Sequence, residues 1–217
     1  MLRQIRKLLR SEQGIAAMEF ALTAPPLMLL FVGLIEVSMK LWSTQKAEKL
    51  TVTISDVVAQ AQTVTVAGLG DIVDATEDIM EPFEFGDNGK LIISSVYREQ
   101  GETVATVNWQ CIKDWSEDAD EEEDNPFPAD SKVGNEGDNA VLPADLTLNE
   151  KENVIVAEVY YRYEPILPGL LFGENPLLQR LVGEPVEGEA NEIVYRRAFF
   201  KPRLGALTNS PGDPCTL

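Results

Sequence analysis

The chain has 217 residues, with 18 Lys and Arg against 36 Asp and Glu, a formal net charge of −18. It contains no histidine, which excludes Ser-His-Asp and Cys-His catalysis and removes the commonest metal ligand. Four basic residues (Arg3, Arg6, Lys7, Arg10) precede Gly14 against one acid, Glu12, so the remainder is strongly acidic and is not expected to bind nucleic acid or an anionic lipid surface.

Residues 1–14 read as a cytoplasmic leader, because positive charge on one flank of an apolar run keeps that flank inside. From Phe20 to Ile35 no residue is charged. The stretch from Ile15 to Trp42 would make ~42 Å of helix, more than the ~30 Å of a bilayer core. A transmembrane helix is therefore expected over residues 15–42. Proline removes a backbone donor, so a kink or loosened turn is expected at Pro25 and Pro26. Glu19 interrupts the apolar run early, and an acid inside a membrane helix is costly and usually functional. Glu36 is expected at the outer interface, with Lys40 one turn on as its partner. Those two charges also make a poor signal-cleavage site.

The helical period continues from Thr44 to Ala67, with Leu50, Ile54, Val57, Val58 and Ala61 on one face. An amphipathic stem is predicted, stopped by Gly68 and Gly70. Leu69, Ile72, Val73, Thr76, Ile79 and Met80 then give a second short helical face ended by Pro82.

Strands follow. Leu91–Tyr97 is apolar and β-branched, and Glu99–Glu102 reads as a turn. Ala105, Val107, Trp109 and Cys111 alternate with polar residues, so the apolar set and the cysteine share one face. This hairpin is expected to cover the stem helix. Residues 115–149 hold the acidic run Glu117–Asp124 and several Pro and Gly, and are expected to form a solvated loop, with an irregular calcium site the lesser alternative. Asn153–Tyr163 is the strongest strand, with Ile155, Ala157, Val159, Tyr161 and Tyr163 on one face. The apolar stretch from Ile166 to Val182 is expected to cap the sheet edge, touch the membrane or bind a partner. A last strand spans Glu192–Lys201, and a Pro/Gly-rich tail closes the chain. Cys111 and Cys215 belong to no C-x-x-C, and outside the cytoplasm one disulfide between them is the natural reading; the alternative is a buried Cys111 with a free Cys215 on a loose tail. The fold class is α+β: a long N-terminal helix whose outer part packs on an antiparallel sheet of about four strands. No phosphate-cradling loop, zinc spacing or nucleophile elbow is present.

The segment Gly14-Ile-Ala-Ala-Met-Glu19-Phe20-Ala-Leu, followed by Pro25-Pro26-Leu-Met-Leu-Leu and Gly33-Leu-Ile-Glu36, resembles the processing site and helix of a TadE-like pseudopilin of the Tad (tight adherence, Flp) type IV pilus. The resemblance is specific over roughly residues 11–45. It is looser at Trp109-Gln-Cys111 and Tyr160-Tyr-Arg-Tyr-Glu-Pro165. It implies a pilin-like domain over residues 43–217, outside the cytoplasm, carried on an inner-membrane anchor. It also implies cleavage by a prepilin peptidase between Gly14 and Ile15, with Glu19 and Phe20 serving assembly and register. The implied partners are that peptidase, other Tad pilins and the assembly platform, with no cofactor, no small-molecule substrate and no enzymatic activity. The alternative is an unprocessed single-pass envelope protein with a binding domain.

Overall fold

A computed structural model of the chain describes residues 14–115, 127–128, 130–165 and 192–211. The elements are α1 (Ile15–Gln60), α2 (Val66–Met80), α3 (Phe85–Asn88), β1 (Gly89–Tyr97), β2 (Thr106–Asp114), β3 (Asn153–Tyr163) and β4 (Glu192–Phe200). The strands form one antiparallel sheet in the order β2-β1-β3-β4. The architecture is the expected one, a long N-terminal helix on a four-stranded antiparallel sheet.

At 1.5 Å per residue the 46 residues of α1 extend ~69 Å, and only its second half touches the domain. Its buried residues begin at Glu36 and continue through Ser43, Ala47, Leu50, Thr51, Ile54, Ser55, Val58 and Ala59. Ser43, Ala47, Thr51, Ser55 and Ala59 recur every four residues, so they stack on one face. Their small side chains let the helix lie close across β3 and β4. Burying hydroxyls there is tolerable because each is satisfied within the helix: Thr51 donates to Ala47 O at 2.6 Å and Ser55 to Thr51 O at 2.6 Å. Leu50, Ile54 and Val58 supply the apolar bulk, each worth about 1.5–3 kcal/mol when fully buried.

The stem ends earlier than its period suggests. α1 stops at Gln60, where Ala61 turns extended, and Gly68 and Gly70 lie inside α2 rather than ending α1. The reason is local. Thr65 caps α2, its hydroxyl accepting from Gly68 N at 3.2 Å, and that cap starts a new helix in front of the glycines. Leu69, Val73, Thr76 and Met80 are the buried face of α2.

The face of the sheet toward the helices carries Leu91 and Ile93 of β1, Trp109 and Cys111 of β2, and Ile155, Ala157, Val159, Tyr161 and Tyr163 of β3. The β3 set is the expected one. In β2 the alternation slips. Ser95 pairs with Trp109 but Val96 pairs with Val107, so Asn108 is an extra residue in a β-bulge. Val107 and Ala105 therefore face the opposite side, away from Trp109 and Cys111. Asn108 is held by donating to Thr208 O, and Val107 exchanges backbone bonds with Asp138 and Gly137, the glycine at φ +88°. The β1–β2 hairpin is thus formed as read, but α1 runs across β3 and β4 instead of over it.

The second face of the sheet is also covered. Val133 and Leu148 pack with Val96, Val107, Val154 and Val156, and Phe127 packs with Ile92 and Tyr160. The expected solvated loop is exposed over most of its described part but is anchored on the sheet at Phe127, Ser131, Val133 and Leu148, because a sheet apolar on both sides needs a cover on both. The strap is pinned to the sheet by polar contacts. Ser131 and Tyr195 donate to the fully buried Glu158, Tyr195 at 2.6 Å. Lys90 lies 3.0 Å from Asp114 and donates to Pro128 O at 3.1 Å. The acidic run of residues 117–124 and the stretch 166–182 lie outside the described residues. The tail up to residue 211 is not loose either. Leu207 enters the core, its carbonyl accepting from Ser95 Oγ and Trp109 Nε1, both at 2.8 Å.

Candidate functional site

The processing, register and kink residues singled out in the sequence gather on the first half of α1, which is largely exposed among the described residues. Gly14 opens the helix with φ −88° and no side-chain cap. A side chain at Gly14 would meet no atom of the described residues within 4 Å, so space among them is not what it would violate. Ile15, Glu19 and Phe20 are all exposed, Phe20 to 71%. Glu19 lies four residues from Ile15 and so on the same helix face, and has no ion-pair partner among the described residues. Leu22, Leu27, Met28, Leu30, Phe31 and Leu34 are exposed as well. A surface this apolar, on every side of a helix, fits a non-aqueous surround. Among the described residues α1 alone is long and apolar enough to cross a membrane, compatible with a single-pass membrane protein.

α1 stays helical through Pro25 and Pro26. The prolines withdraw two donors, freeing the carbonyls of Ala21 and Leu22. One turn earlier, Thr23 returns its hydroxyl to Glu19 O at 2.9 Å. Cys111 is buried on the helix-facing side of β2 and is not a free thiol. Cys215 lies outside the described residues, as do the basic residues of the leader. Among the described residues no group of three or more His, Cys, Asp or Glu side chains is arranged to hold a metal.

A contact the sequence reading missed joins the anchor to the domain. Glu36, 5% exposed, accepts a hydrogen bond from Tyr163 Oη at 2.8 Å. Burial, and then the bond to Glu36, push the Tyr163 hydroxyl well above the usual tyrosine range, so it stays a donor. Glu36 is therefore buried against the domain instead of facing water. Its position seven residues before Ser43, on the same buried stripe, was the available signal. The apolar half of α1 ends at this contact, and from here on the helix is part of the domain.

The arrangement thus consists of an accessible peptide bond after Gly14, a carboxylate one turn beyond it, a bare apolar helix, and a polar lock where the domain begins. No curated protein and no solved structure matches the chain. Residues 14–51 match the model of the TadE-like protein family, a span that starts at Gly14, takes in Glu19, Pro25, Pro26 and Glu36, and ends on the packed stem. Over that segment the chain is TadE-like, consistent with a TadE-like protein of the Tad pilus system.

Proposed function

We propose that this chain is a non-catalytic minor pilin or pseudopilin required for biogenesis of a Tad (Flp) type IV pilus. In this reading a prepilin peptidase cuts between Gly14 and Ile15, α1 anchors the product in the bacterial inner membrane, and the sheet domain stands outside the cytoplasm. The observation that carries it is the coincidence of the family match with the bare helix: the match begins at Gly14 and runs the whole length of the unpacked apolar segment.

The chemistry of the helix supports the roles. Cleavage creates an ammonium at Ile15 one turn from the Glu19 carboxylate. Neutralising one buried charge with the other lowers the penalty of holding either in a bundle of helices, and pairing Glu19 with the N-terminus of a neighbouring subunit fixes axial register. Phe20 adds a large apolar contact beside that pair. The partners are the peptidase, other Tad pilins and the assembly platform. A Cys111–Cys215 disulfide belongs to the same reading, since the domain would sit in an oxidising compartment.

The test is the mature N-terminus, determined by mass spectrometry from cells with and without the prepilin peptidase. A chain starting at Ile15 only when the peptidase is present is the expected result. A chain still starting at Met1 in both cells overturns the proposal in favour of an unprocessed envelope protein.

A further inference from the structure

A groove opens where α1 enters the domain. Its volume is about 400 Å³, and its walls include Met39 of α1, Phe83 and Glu84 between α2 and α3, Tyr161 and Tyr163 of β3, and Glu164. Phe83 meets Tyr161 edge-on with centroids 6.1 Å apart, and the half-exposed Trp42 meets Phe83 edge-on at 5.5 Å. The Tyr163 hydroxyl is committed to Glu36. The Tyr161 hydroxyl is not committed. Tyr161 is 4% exposed, lines the groove, and its hydroxyl makes no hydrogen bond among the described residues. Burial, then the negative charge of Glu164 and Glu84, raise Tyr161 to about 12. Arg162 stands 3.8 Å from Glu164, while Glu84 makes no ion pair among the described residues. Arg162 also donates to Asn88 of the groove wall at 2.8 Å. Aromatic walls with the Glu84 carboxylate at the rim, and a phenolic oxygen that makes no hydrogen bond among the described residues, attract a cation that donates hydrogen bonds.

The position of the groove selects the cation. The bare segment Ile15–Ile35 is ~31 Å of helix, the thickness of a bilayer core at ~30 Å. Glu36 then marks the headgroup level, and Met39, one turn further, is the first wall of the groove. We propose that this groove holds the ammonium of a zwitterionic aminophospholipid headgroup, of the phosphatidylethanolamine type, from the leaflet facing the domain. This rests on the membrane-anchored reading above. The acidic domain repels anionic headgroups, and an amine-bearing one gives it a neutral lipid on which to seat.

The full-length protein is reconstituted into vesicles of phosphatidylglycerol alone and of phosphatidylglycerol mixed equally with phosphatidylethanolamine. Flotation reads the anchor, and native mass spectrometry of protein released from the mixed vesicles counts retained lipids by headgroup. Flotation with both vesicles, with phosphatidylethanolamine retained about fivefold over phosphatidylglycerol, is the expected result for a partly desolvated cation–π site. Glu84→Gln and Tyr161→Leu should each cut that preference about threefold or more while flotation stays unchanged. Glu84 is exposed, so its variant carries the test even where Tyr161→Leu unfolds. Equal retention of the two lipids with normal flotation overturns the groove and leaves the anchor standing, as does an undiminished preference in Glu84→Gln. Failure to float with either vesicle removes the anchor, and the groove proposal with it.

Discussion

The two halves of α1 share one backbone and part company in their side chains. From Ile15 to Ile35 the helix is apolar apart from Glu19 and Thr23 and is largely exposed among the described residues, whereas from Glu36 to Gln60 it has one buried stripe and one wet face. Helix formation is common to both. What differs is the surround each half requires: the first needs a medium or neighbouring helices, and the second finds its partner in β3 and β4. Glu36 marks the change, a carboxylate buried by the domain's own Tyr163. The protein thus carries an exposed apolar segment and a structural stem on a single element, and substitutions in the two halves should fail in different ways.

The largest separation is expected at the start of the bare half. Gly14→Leu should abolish cleavage, read as loss of the Ile15 N-terminus by mass spectrometry, while the thermal unfolding of the domain in detergent is unchanged, since a Cβ there meets no neighbour among the described residues. Glu19→Val should leave membrane insertion intact and stop fibre assembly, counted by electron microscopy of the pili. Normal pili in that variant would remove the register role. In the packed half the effects move to stability. Leu50→Ala, at a fully buried site, should cost about 2–5 kcal/mol by thermal or denaturant unfolding, whereas Leu30→Ala, 60% exposed, should cost less than about 0.5 kcal/mol. Equal losses at the two leucines would erase the distinction between the halves. Tyr163→Phe leaves the Glu36 carboxylate buried without its donor and should cost about 1.5–3 kcal/mol. Glu36→Gln in the same background should recover part of it.

The smallest effect lies far from the helix. The Glu152 carboxylate is held down to about 2, first by the backbone N–H of Asn149, then by the Asn149 side chain and Lys201. A depressed carboxylate stabilises the fold fully above its unfolded value near 4.5, and that contribution fades as pH falls toward 2. Glu152→Gln should therefore flatten the acid limb of the unfolding curve slightly and leave neutral pH almost untouched, because the group is at the surface.

Much of this was legible in the chain. An uncharged run bounded by a basic flank announces a bare helix, since no other segment could cover it. The face Ile155, Ala157, Val159, Tyr161 and Tyr163 was readable because nothing disturbs the pleat of β3. The phase slip in β2 was not, because the bulge at Asn108 depends on partners 30 and 100 residues away, Asp138 and Thr208. The strap over the second face was half-visible. β1 and β3 are apolar on both sides, which demands a cover, but Phe127, Val133 and Leu148 are scattered among Gly, Pro and acids with no period to join them.

The sequence by itself determined the bare helix, its charge asymmetry, the Gly14–Glu19 spacing and the strand set. These follow from hydrophobicity and periodicity, which act between near neighbours. Only the tertiary structure decided where the helix stops being bare, because that boundary is a contact between Glu36 and a tyrosine 127 residues later in the chain. It also decided which small residues of α1 lie against the sheet, and which aromatic and acidic side chains meet in the groove beside Met39. Such meetings are products of sheet order and helix placement, and no local pattern encodes them.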